Sequence, residues 1–118
     1  MAKADWPRYT PPRRSTNEHS RTAIVPRWIL REAGVAFGLT PVELFALVSV
    51  VDNLDDTGAA KLSVSLLAQR AGVARNTARA ALDRLAAEDL IYELDTPAKG
   101  RMMRYAVAAE MPWPGRKP

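Results

Sequence analysis

The sequence predicts an α+β fold, mainly α with a small β-hairpin, on three observations. Apolar residues at helical spacing, with capping residues at their starts, fill most of residues 24–90. After Leu90 the period changes to that of a strand. Two strand-like runs then flank the turn-forming Thr96-Pro97-Ala98-Lys99-Gly100. At 118 residues the chain has material for one core. The expected division is an N-terminal arm over 1–23, a folded domain over 24–107 and a tail over 108–118.

The arm combines Pro7, Pro11 and Pro12 with Arg8, Arg13, Arg14 and Arg21, and shows no periodicity. Pro26 suits the first turn of a helix, where its missing N–H costs nothing. Ile29, Leu30 and Ala33 follow, and Gly34 is the expected stop. A second helix starts at Thr40-Pro41-Val42-Glu43, a capping hydroxyl, a proline and a reciprocal glutamate. Leu44, Leu47, Val48, Val51 and Leu54 follow at helical spacing, with Phe45 and Val50 widening the apolar stripe. It should end near Asn53–Asp56, with a turn at Thr57-Gly58. Ser63 can cap a third helix that carries Val64, Leu67 and Ala68 inward and ends at Gly72. A fourth, over about 75–88, places Ala78, Ala81, Leu82 and Leu85 on one face. Ile91–Asp95 and Met102–Val107 make the hairpin, and Ala60-Lys61-Leu62 is a candidate third strand.

Composition removes several kinds of chemistry. Without cysteine there is no disulfide framework, thiol nucleophile or Cys-based metal site. A single histidine, His19, removes paired-His sites. No nucleophile–base pair stands out, so neither an enzyme nor a cofactor is expected. Asp52, Asp55 and Asp56 fit no calcium loop. They sit unfavourably at a helix C-terminus, which suggests that they meet an arginine arm. No apolar stretch is long enough to span a bilayer and no signal-peptide core is present, so a cytoplasmic protein is expected.

Charge is concentrated. The net is +4, with +4 in residues 1–27, −4 in 28–57, zero in 58–95 and +4 in 96–118. Thirteen of the 17 basic residues are arginine, whose planar fork suits phosphate and guanine edges.

Two short helices meeting at a glycine, followed by a hairpin, are in the order of a winged helix-turn-helix. The run Leu67-Ala68-Gln69-Arg70-Ala71-Gly72-Val73-Ala74-Arg75-Asn76-Thr77-Ala78-Arg79-Ala80-Ala81-Leu82-Asp83-Arg84-Leu85, then Asp89-Leu90-Ile91, resembles a recurrent motif. It is that of GntR-type regulators and of the helix-turn-helix domains of phage and plasmid replication proteins. Ile24-Val25-Pro26-Arg27-Trp28-Ile29-Leu30 is similar to the opening of the latter group. The likeness covers about residues 24–107. It departs at Ala74, where the motif usually has a capping serine.

The resemblance implies a protein that binds double-stranded DNA. Arg75, Asn76 and Arg79 are the expected major-groove readers, since arginine suits guanine and asparagine suits adenine. Thr77 is expected to turn its methyl inward and its hydroxyl towards backbone or phosphate. Ser63 and Arg84 complete the helical set, Arg84 with the alternative of pairing with Glu88. Lys99, Arg101 and Arg104 form the wing contacts, and Arg13 and Arg14 are the arm's contribution. The expected role is transcriptional regulation, repression foremost, by a homodimer joined through its first two helices or its tails. With eleven residues after the hairpin, no ligand-sensing domain is expected. A replication or maintenance factor acting at an origin is the alternative within DNA binding. The alternative from another class is a winged helix used to bind protein, with Trp6 and Trp113 as contacts. Trp28 is expected to anchor the core, while Trp6 and Tyr9 either pack back on the domain, clasp a second subunit or meet a partner.

Overall fold

The computed structural model describes residues 3–12, 21–95 and 103–112. Helical backbone begins at Arg27, widens into a π-helical turn at Ile29–Ala33 and continues as α1, Gly34–Phe37. Gly34 therefore does not stop the helix, contrary to expectation. It holds ordinary helical angles, and the stop falls at Gly38, whose φ of +61° favours a residue without a Cβ. The Gly38 N–H closes the helix by donating to the carbonyls of Gly34 and Val35.

α2, Pro41–Asp52, has the full reciprocal cap. The Glu43 N–H donates to Thr40 Oγ1 at 3.2 Å, and the Thr40 N–H donates to Glu43 Oε1 at 2.8 Å. The helix buries Ala46, Leu47, Ser49, Val50 and Val51. Phe45, expected in the buried stripe, is instead 41% exposed. α2 is apolar almost all round, so spacing does not single out its inner face.

β1, Ala60–Leu62, precedes α3, Val64–Ala71, and a turn at Gly72 leads to α4, Arg75–Ala87. β2, Ile91–Glu93, and β3, Met103–Val107, complete an antiparallel sheet in the order β1-β3-β2. The expected third strand is thus present, and β3 lies at the centre. Its partners are Ala60 for Tyr105 on one side and Ile91 for Val107 on the other.

Side chains alternate across this sheet. Ala60, Leu62, Ile91, Tyr105 and Val107 face the helices and share their core with Ile29, Leu47, Leu67, Leu82 and Leu85. The opposite, far face carries Tyr92, Ala106 and the adjoining Ala108, covered by Trp6, Trp28 and Leu94. Trp28 packs against both clusters, as an anchor should, but its indole N–H is buried with no acceptor among the described residues.

Residues 3–12 of the expected arm lie on the domain. The Tyr9 N–H donates to the Val107 carbonyl at 2.9 Å, and Arg8 bridges Ala108 as an antiparallel extension of β3. The Tyr9 hydroxyl donates to the Ile24 carbonyl at 3.0 Å. Trp6 meets Tyr92 edge to face, with centroids 5.3 Å apart. Of the outcomes open for these aromatics, packing back on the domain is the one found. The arm crosses Gly58, where φ is +78° and a Cβ would lie 2.7 Å from the Tyr9 carbonyl oxygen.

That turn also explains Asp55. Burial alone would raise its carboxyl pKa. The Thr57 hydroxyl (2.6 Å), the Thr57 N–H (2.8 Å) and the Ala59 N–H (3.1 Å) donate to it, and Arg8 adds positive charge. The net result is a pKa below the ordinary aspartate value. An arm arginine does meet this acidic cluster, in the chain's own arm. Asp52 lies 3.7 Å from Arg70, an exposed pair of little energetic weight.

No helix among the described residues is long and apolar enough to cross a membrane. Nor do the described residues contain a group of three or more acidic or histidine side chains that could hold a metal ion.

Candidate nucleic-acid interface

The turn between α3 and α4 is Gly72-Val73-Ala74, with Gly72 left-handed at φ +68°. Its three-residue length sets the two helices against each other, with Leu67 and Ala68 of α3 and Ala78, Ala81, Leu82 and Leu85 of α4 buried. Alanine at positions 68, 78 and 81 keeps this contact thin, because a longer side chain would separate the backbones.

This packing leaves one side of α4 in solvent. Arg75, Asn76, Arg79, Ala80 and Asp83 are exposed. The Arg75, Asn76 and Arg79 side chains have no hydrogen-bond or ion-pair partner among the described residues. Thr77 departs from expectation: the whole residue is exposed, so its methyl does not pack inward. Ala78, the next residue, fills the inward position instead. Ala74 supplies no side-chain cap, so the first amides of α4 lack the hydroxyl acceptor that serine would provide. At α3, Ser63 is occupied as a cap: its Oγ accepts from the Leu66 N–H at 3.0 Å.

Arg84 is on the same helix but is bound inward. Its Nη1 donates to Glu43 Oε1 at 2.9 Å and its Nη2 donates to the Phe37 carbonyl, while Nε is 3.8 Å from Glu88. Arg84 thus ties α4 to the end of α1 and the cap of α2. Of the two roles expected for it, the pairing with Glu88 is present, with Glu43 as a nearer carboxylate partner. The link to Glu43 runs 41 positions along the chain and leaves no local spacing signal.

Arg104 lies on β3 at the root of the hairpin, facing away from the helices beside Lys61 of β1. Its guanidinium grips Asp95, with Nε 3.0 Å from Oδ2 and Nη2 2.8 Å from Oδ1. This pairing holds the guanidinium pKa above its ordinary value. Lys61 was not singled out in the sequence, though its place between Ala60 and Leu62 marks an outward strand position. Tyr105 links the sheet to α4. Burial raises its phenol pKa, Glu93 and Asp83 push the same way, and the Arg79 charge opposes them. Arg79 and Asp83 therefore stand close to the hairpin root.

Lys99 and Arg101 of the expected wing, Arg13 and Arg14 of the arm, His19 and Trp113 all lie outside the described residues. The structure brings together Arg75, Asn76, Thr77 and Arg79 on one exposed helix side and turns Ser63 and Arg84 to structural use. Comparison with protein-family models, curated proteins and solved structures returns no match.

Proposed function

We propose that this chain is a winged helix-turn-helix protein that binds double-stranded DNA in a sequence-specific way, acting as a transcriptional regulator. The observation that carries the reading is the exposed Arg75–Asn76–Arg79 set at the start of α4, whose side chains have no partner among the described residues. Arginines held for structure are paired, as Arg84 is, while these project donors into solvent at the end of a helix that fits a major groove. The order of elements supports the fold assignment: β1, then two helices around a glycine turn, then β2 and β3 with the sheet order β1-β3-β2. In this reading residues 96–104 are the wing, and Arg104, with Lys61 beside it on β1, faces the phosphates. Arg104 reaches a phosphate only by exchanging it for Asp95.

Two copies on half-sites one helical turn apart complete the proposal. Leu30 (61% exposed) and Val35 (89% exposed) on the first helical segment, with Phe45 on α2, are the side chains that such a pairing would cover.

Selection of bound sequences from a random DNA pool at two salt concentrations tests the reading; an enriched motif is expected, and its absence sinks it. Arg79→Ala should weaken binding to the selected site by about 5- to 150-fold, the value of one bidentate base contact. Loss of a phosphate contact instead lowers the log–log salt slope by about 0.9. Unchanged affinity in Arg79→Ala, with binding insensitive to salt, would move the protein to the protein-binding class.

A further inference from the structure

The far face of the sheet carries Lys61 and Arg104 at the hairpin root, and beyond Ala106 and Tyr92 it holds a surface that these proposed DNA contacts do not include. Trp6, Pro7, Tyr92, Ala109 and Glu110 line a cleft of about 360 Å³. That is near the lower limit for ligand pockets and suits a short segment of chain. The Trp6 ring, partly exposed and at 84° to that of Tyr92, is the apolar wall of the cleft, and Tyr92, 6% exposed, lies at its floor. Lys3 does not neutralise its rim: the ammonium is held by Asp89 at 2.8 Å, and it lies 5.7 Å from the Trp6 ring centre. Glu110 and Asp5, the residue before Trp6, are exposed and have no partner among the described residues. A chain of net charge +4 thus presents a locally acidic, aromatic cleft.

We propose that this cleft binds an extended, proline-containing peptide that carries an arginine or lysine. Aromatic grooves take polyproline segments because the prolyl ring is flat and apolar and the peptide is already extended, so little entropy is lost on docking. The Glu110 carboxylate, exposed and without a partner among the described residues, supplies the contact for the cation, and the same charge repels nucleic-acid phosphate. Alternation along β2 places Tyr92 on the side of the sheet away from the helices, so α4 and the cleft can be occupied together.

The test is a titration of the full chain, followed by calorimetry and by backbone and indole NMR, with a synthetic polyproline peptide of about ten residues ending in two arginines. Saturable one-to-one binding is expected, with shifts at the Trp6 indole, Tyr92 and Glu110. Replacing the two arginines by glutamate, or the prolines by alanine, should each weaken binding at least about tenfold. Glu110→Lys, on an exposed side chain, should do the same for the arginine peptide without changing the affinity for a DNA duplex. Trp6→Ala provides a second loss of binding from the apolar wall. The proposal is overturned by absent saturation, by equal binding of the glutamate peptide, or by Glu110→Lys without effect. It is also overturned if a DNA duplex, and not the peptide, shifts Trp6 and Glu110.

Discussion

The two faces of the sheet are closed in different ways. On the helix side, Leu62, Ile91, Tyr105 and Val107 meet side chains delivered by α2, α3 and α4, each from its own helical stripe. On the far side, Tyr92 and Ala106 are covered by Trp6, from an arm that shows no strand or helix period, and by Trp28, at the start of the first helical segment. One face is therefore a consequence of patterning repeated along the chain. The other depends on a few large aromatic residues and on one narrow crossing at Gly58. A face built from many interlocking positions loses most when a central side chain is truncated, whereas a strapped face can be opened with the core intact.

The largest expected effect is on the helix side. Leu85→Ala, at a fully buried position, should cost about 2–5 kcal/mol, read as a lower urea midpoint with an unchanged slope. Opening the far face should cost less. Gly58→Ala places a Cβ against the Tyr9 carbonyl and forces a left-handed alanine, a strain of about 1–2 kcal/mol. The arm should detach, seen as a changed Trp6 indole signal while the helix-side amides keep their exchange protection. If both faces unfolded together in this variant, the contrast between them would fail.

Trp28→Phe tests whether the tryptophan at the junction is there for its ring. The change removes a buried N–H that has no acceptor among the described residues, a relief of about 1–3 kcal/mol, and offsets this with lost packing. Chemical denaturation should give a net change within about 1 kcal/mol of zero. The smallest effect concerns Asp55. Its folded-state pKa is lowered, so its contribution is complete above the unfolded value of about 3.9 and is lost as pH falls through the folded value. Asp55→Asn should flatten this acid limb of the stability profile and leave the slope above neutral pH as it was.

Legibility in the sequence follows the range of the interaction. The α2 cap, the turn at Gly58, the stop at Gly72, the buried face of α4 and both hairpin strands were all readable, since each rests on residues within a few positions of one another. The exposed Arg75, Asn76 and Arg79 were readable for the same reason: they are what the buried face of α4 leaves over. Gly34 was misread because a glycine stops a helix only when the backbone turns left-handed there, and neighbouring packing keeps Gly34 helical. Thr77 was misassigned because its neighbour Ala78 sits at the inward position. Arg84 and Arg104 had more than one available partner, and local spacing does not choose among them.

By itself, then, the sequence determined the order and kind of the elements, the apolar sides of α3 and α4, and the concentration of arginine that motivates a DNA-binding reading. Tertiary structure decided that Arg84 and Arg104 are held by carboxylates while Arg75 and Arg79 have no partner among the described residues. It also decided that Arg8 and Tyr9 lie along β3 and that Trp6 and Tyr92 meet beside a cleft. Periodicity and capping record forces acting within a few residues, whereas the Arg84–Glu43 link and the Trp6–Tyr92 contact join residues 41 and 86 positions apart. Such pairs are selected by the shape of the whole packed chain, and no local pattern encodes them.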